Sequence, residues 1–136
     1  MKENKILISV YGSLRKNLGN HGLLTNSIYL GEFKTEPVFS LYSLGGFPGL
    51  KEGGNTSITM EVYEVTPEQA VRVDALEGYS SRGNNTFYDK IMIDTPYGEA
   101  GTYIYVPKVS EDRLVDSGDW KEFKQAQFNY TSLSHN

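Results

Sequence analysis

The sequence predicts an α+β domain built on a small, curled or closed sheet. Three observations carry this. Short apolar or alternating runs recur between turns bearing glycine, proline or asparagine, and 14 of the 136 residues are glycine. Only two stretches carry helix-start signals. Strand-like runs therefore outnumber helices, and none is long enough to stand alone as a buried helix.

In order, Ile6-Leu7-Ile8-Ser9-Val10 is a short, β-branched run that reads as a buried first strand and breaks at Tyr11-Gly12-Ser13. Glycine lets the backbone turn sharply and approach a ligand closely, so the N–H groups of Gly12, Ser13 and Leu14 can form one anion-binding nest. The alternative on spacing alone is an ordinary turn. Between Arg15 and Asn26 there is room for a loop or one short helix. Ile28 to Lys34 and Phe39 to Tyr42 read as strands separated by Glu36-Pro37. Leu44 to Leu50 is read as a loop and Lys51 to Asn55 as a turn. Ile58-Thr59-Met60-Glu61-Val62 then alternates as a half-buried strand should. Thr66-Pro67-Glu68-Gln69 opens a helix with an N-cap, a first-turn proline and a capping box, and Gly78 stops it. Tyr79 to Thr86 is a polar loop. Tyr88 to Thr95 and Ala100 to Val106 form a hairpin through Pro96-Tyr97-Gly98. A last helix begins near Asp119, again with capping-box spacing to Glu122, and Thr131 to Asn136 should fray. No repeat or linker divides residues 1–136, so a single domain is expected.

Composition narrows the function. The net charge of −4 is dispersed, with no basic block, which argues against nucleic acid or an anionic membrane as partner. No cysteine is present, removing disulfides, thiolate catalysis and cysteine-held zinc. The run from Ile6 to Val10 is too short for a signal peptide, and no run reaches membrane-spanning length, so a cytoplasmic location is expected.

Few side chains offer chemistry. Ser13 is a poor match to a nucleophile elbow, because the pattern requires glycine where Arg15 stands; it reads instead as a serine that hydrogen-bonds the loop or a ligand. His21 reads either as a base or as a loop-fixing residue, and with only His135 beside it a metal cluster is not expected. Glu77 falls at a helix C-terminus, where the dipole disfavours an anion by roughly 0.3–1 kcal/mol. That violation suggests function, and the plain alternative is an exposed glutamate on a frayed helix end.

Val10-Tyr11-Gly12-Ser13-Leu14-Arg15 with Asn20-His21, then Leu44-Gly45-Gly46-Phe47-Pro48-Gly49-Leu50, Asp74-Ala75-Leu76-Glu77-Gly78-Tyr79 and Phe87-Tyr88, resembles the gamma-glutamyl cyclotransferase-like family, in matching order over roughly residues 6–120. The resemblance implies a compact mixed β-barrel with flanking short helices. It implies Glu77 as the acid/base carboxylate, a substrate site of Tyr11, Gly12, Ser13, Leu14, Phe47, Pro48 and Tyr88, and support from Asn20 and His21. It also implies a small gamma-glutamyl substrate cyclised to 5-oxoproline with no metal or cofactor. Ser80 to Asn85 departs from the pattern and is read as a lid, a specificity loop or a plug beside the site. The competing reading is a non-catalytic ligand-binding or protein-interaction module on the same fold.

Overall fold

The computed structural model describes residues 5–16, 21–79 and 87–134, with side chains in the last helix as far as residue 127. Seven strands and two helices follow in chain order: β1 (Ile6–Val10), β2 (Ile28–Lys34), β3 (Phe39–Ser43), β4 (Pro48–Glu52), β5 (Thr59–Val65), α1 (Pro67–Leu76), β6 (Tyr88–Thr95), β7 (Gly98–Tyr105) and α2 (Trp120–Ser134). Short 3-10 turns stand at His21–Leu24 and Glu111–Arg113. Among the described residues no helix is long and apolar enough to cross a membrane.

β1 lies at the centre because it is apolar on both faces. The main sheet has the order β2-β5-β1-β7-β6, with β1 antiparallel to β5 from Ile6↔Val65 to Val10↔Glu61 and parallel to β7 at Ile8↔Gly101. Strand alternation sends Ile8 and Val10 to one side, where Tyr63, Val65 and Tyr103 join Leu24 of the 3-10 turn and Val73 of α1. Leu7 packs with Val62 and Ala100. Tyr11 and Met60 pack with Phe39, Leu41, Leu50 and Trp120 from the β3–β4 hairpin and the start of α2. A strand covered on both faces has no solvent side. The expectation that residues 58–62 form a half-buried strand is therefore corrected: Thr59 and Glu61 are each only 2% exposed.

The hydrogen-bond ladders leave β2 and β6 as edges: among the described residues they form a five-stranded sheet and a separate β3–β4 hairpin, and no ladder closes them into the expected barrel. Pro37 lacks an N–H, and the chain leaves the sheet there and returns as the hairpin. The edges approach through Tyr97, whose hydroxyl lies where a side chain at Gly31 would begin, and Gly31 has φ +151°. A cavity of about 490 Å³, lined by Phe33 and Lys34 from β2 and by Ile93, Asp94 and Thr95 from β6, stands where a closing ladder would run. The segment read as a loop over residues 44–50 also changes: Pro48 onward is β4, paired from Phe39↔Glu52 to Ser43↔Pro48.

Helix α1 begins as its sequence requires. Gln69 N–H donates to Thr66 Oγ1 at 3.1 Å and Thr66 N–H donates to Gln69 Oε1 at 3.0 Å, closing the capping box. At α2 half of the box forms: Glu122 N–H donates to Asp119 Oδ1 at 3.2 Å, while Asp119 N–H turns to Ser117 Oγ. α2 is helical through Ser134, and residues 135–136 of the tail expected to fray lie outside the described residues.

The buried Glu61 has a partner on every side. Its carboxylate accepts from Arg15 Nε at 3.0 Å, the Lys16 N–H at 2.7 Å and the Tyr63 hydroxyl at 2.8 Å, and Lys121 Nζ lies 3.3 Å away. Arg15 also reaches Asp119 at 2.9 Å and Glu32 at 3.2 Å. Burial alone would raise the Glu61 pKa, but these donors and cations outweigh it and hold the carboxyl below its ordinary range. Replacing one member strands the others in a dry site. Glu61→Leu should destabilise the fold by about 3–5 kcal/mol in urea unfolding, and Arg15→Met combined with Glu61→Leu should cost less than the two single changes added together.

Candidate functional site

Where β1 ends, the chain turns tightly: Arg15 N–H donates to Gly12 O at 2.9 Å. Glycine is required at position 12 by a close neighbour and not by a left-handed backbone, since a Cβ there would stand 2.8 Å from Pro48 Cγ and Gly12 is not among the glycines of positive φ. The close neighbour of Gly12 is the Pro48 ring. His21 sits in the following 3-10 turn with Nδ1 at 2.9 Å from Leu14 O. A carbonyl can only accept, so Nδ1 carries the proton and the ring braces the loop from behind. His21 does not line the cavity described below. Asn20 and the Ser80 to Asn85 insertion lie outside the described residues.

The turn opens onto a cavity of about 400 Å³. Tyr11, Gly12, Ser13 and Leu14 form one wall, Phe47 and Pro48 a second, and the end of α1 from Ala75 to Gly78 a third. Phe87 and Tyr88 at the start of β6, with Tyr103 and Tyr105 of β7, complete it. The cavity therefore brings together Glu77 and all seven expected substrate-site residues.

The α1 end fixes Glu77. Gly78 adopts the left-handed conformation at φ +68°, its N–H donates to Ala75 O at 3.1 Å, and Tyr79 N–H donates to Asp74 O at 2.8 Å. This Schellman arrangement is stable only with a residue such as glycine at the left-handed position, which places Glu77 one residue earlier on the cavity wall. Burial there pushes the Glu77 carboxyl up to about 7.

The tyrosines act differently. Tyr11 donates its hydroxyl to Tyr103 O at 2.7 Å, Tyr88 donates to Pro48 O at 2.9 Å, and Tyr103 donates to Asp74, itself paired with Lys90 at 3.2 Å. Burial is the first cause that raises all three phenols, and the nearby charge of Glu77 raises each further. They stay protonated at neutral pH. Sequence reading missed Tyr103, Tyr105 and Phe87. The i, i+2 spacing of the two tyrosines does put them on one face of a strand, but that face gains meaning only once β7 lies beside β1.

Because Pro48 fills the space above Gly12, Gly12→Val should force β4 and the β1 turn apart. Thermal and urea unfolding should register a loss of about 1–3 kcal/mol.

The family model described as gamma-glutamyl cyclotransferase, AIG2-like, matches residues 8–122. The gamma-glutamylcyclotransferase family protein YtfP of Escherichia coli K12 is 41% identical over 113 residues, 83% of this chain and 94% of the relative. Gamma-L-glutamyl-butirosin B gamma-glutamyl cyclotransferase of Niallia circulans is 31% identical over 125 residues, 85% of this chain and 75% of the relative. A crystal structure of the uncharacterized protein PH0828 from Pyrococcus horikoshii has a TM-score of 0.75 at 28% identity, over 91% of this chain and 97% of that one. With a family match running from the middle of β1 into α2, the chain belongs to the gamma-glutamyl cyclotransferase, AIG2-like family.

Proposed function

We propose that the protein is a gamma-glutamyl cyclotransferase that releases 5-oxoproline and a free amine, with Glu77 as general acid and base. The observation that supports this best is that Glu77 is the one carboxylate among the described lining residues and shares its cavity with the Gly12–Leu14 turn, where burial pushes its carboxyl up to about 7. The name of the Niallia circulans relative, a cyclotransferase acting on a gamma-glutamyl amide, points the same way.

The substrate carries its own nucleophile. Its alpha-amino nitrogen attacks the gamma-carbonyl carbon, the new C–N bond closes a five-membered ring, and the old amide C–N bond breaks. Holding the chain folded supplies most of the advantage, because intramolecular attack of this kind has a very large effective concentration. The alpha-ammonium gives up two protons on its way to the lactam N–H and the departing nitrogen gains two, so no proton or water is consumed. Glu77 passes them. Raising the carboxyl from 4.5 to about 7 narrows its gap to the substrate ammonium by about 2.5 units, or about 3.4 kcal/mol less against proton removal. The N–H groups of the Gly12–Leu14 turn serve as donors to the alpha-carboxylate or the developing oxyanion. Tyr11 and Tyr88 keep that space shaped and dry, and His21 supports the turn.

Glu77→Gln should keep the fold and abolish 5-oxoproline release, because an amide takes no proton from the ammonium. The wild-type kcat/KM should fall on the acid side with a midpoint near pH 7. Folding raises this carboxyl above its unfolded value, so ionisation opposes folding. Wild-type stability should drop relative to Glu77→Gln as pH rises from about 4.5 through 7, and the two should respond alike below that window. Wild-type turnover in a folded Gln variant would instead favour the non-catalytic module.

Tyr88→Phe removes a hydroxyl that holds the Pro48 carbonyl but leaves the base in place. The rate should fall about ten- to a hundredfold, with the acid limb unmoved.

A further inference from the structure

Three apolar side chains line the Glu77 cavity yet keep about half their surface in water: Phe47 at 47% exposed, Leu76 at 42% and Phe87 at 55%. Residues that do both stand at the cavity mouth. Each is held by backbone structure. Leu44 N–H donates to Phe47 O at 2.9 Å and Val106 N–H donates to Phe87 O at 2.7 Å, while Leu76 is the last residue of α1. The rim is thus an apolar surface prepared in advance, which lowers the ordering cost of binding against it. Among the described lining residues there is no lysine, arginine or histidine. The cations behind the lining are occupied: Lys90 lies over the Tyr103 ring but pairs with Asp74, and Lys51 lies over the Tyr105 ring but donates to Val106 O and Pro107 O.

We propose that Phe47, Leu76 and Phe87 select the leaving group, so that the preferred substrates are gamma-glutamyl amides of apolar, above all aromatic, primary amines. This rests on the cyclotransferase reading of the same cavity. The gamma-glutamyl half lies toward Glu77 and the Gly12–Leu14 turn, and the hydrocarbon of the amine lies against the rim. Contact between two rings and an aromatic leaving group removes apolar surface from water on both partners. A carboxylate on the leaving group would be dehydrated against the same apolar rim.

Three substrates test this: gamma-glutamylphenethylamine, gamma-glutamylmethylamine, and gamma-glutamylphenylalanine, which adds one carboxylate to the first. The phenethylamine derivative should show kcat/KM at least about tenfold above each of the others. Phe87→Ala and Phe47→Ala should each reduce the phenethylamine-to-methylamine ratio by about tenfold, and Phe87→Leu, which keeps an apolar contact, should hold most of that ratio. Circular dichroism confirms that each variant is folded. Equal wild-type values for the three substrates, or a ratio unmoved by both alanine changes, would overturn the inference while leaving the cyclotransferase reading standing. Absence of 5-oxoproline from all three would overturn both.

Discussion

The structure depends on one buried carboxylate. Glu61 projects from the covered strand β5 and holds both the Arg15 side chain and the Lys16 backbone N–H, the two groups that follow the turn at Gly12. Through Arg15 the same cluster reaches Asp119 at the start of α2 and Glu32 on β2. Removing a carboxylate and a guanidinium from water costs several kcal/mol for each ion, and it is offset here by short charge-assisted bonds on every side. As a result the turn that forms one wall of the cavity is fastened to three separate elements. A wall held this way keeps its shape without help from a ligand.

Glu61 and Glu77 are the same side chain with opposite chemistry. Donors and cations outweigh burial at Glu61 and lower its pKa, so it stays ionised and structural. At Glu77 burial acts without such an offset, and the carboxyl rises to about 7. The C-terminal end of α1 adds no relief, since the helix dipole also disfavours an anion there. On the proposed function, two carboxylates pushed apart in this way divide the labour of a site between holding and proton transfer.

Elements set by local chemistry were legible in the sequence. Thr66, Pro67, Gln69 and Gly78 bracket α1 by backbone bonding that depends only on near neighbours, and the β6–β7 hairpin is closed by its own short turn. What required the tertiary structure was less legible. The strand from Thr59 reads as half-buried because Thr59 and Glu61 are polar, and nothing nearby in sequence reveals that Arg15, Lys16 and Lys121 converge on Glu61. Pairing of β4 and the open edges at β2 and β6 are likewise set by non-local contacts. In the site, Glu77 on spacing alone reads first as an exposed glutamate on a helix end. The family resemblance singled it out, and the Schellman turn at Gly78 explains how it reaches the cavity.

On the proposed cyclotransferase reading, the apolar lining of the cavity links base strength to substrate choice. Tyr11 and Tyr88 direct their hydroxyls onto backbone carbonyls, so what they add to the lining is chiefly ring surface. Phe47, Leu76 and Phe87 extend that surface to the mouth. A more polar rim would admit water, lower the Glu77 pKa toward the ordinary carboxylate value and weaken it as an acceptor of an ammonium proton. The same polar rim would also accept charged leaving groups. On the proposed reading, the apolar lining that gives Glu77 its proton affinity is also the one that selects the leaving group, so a change at the mouth of this cavity should move both.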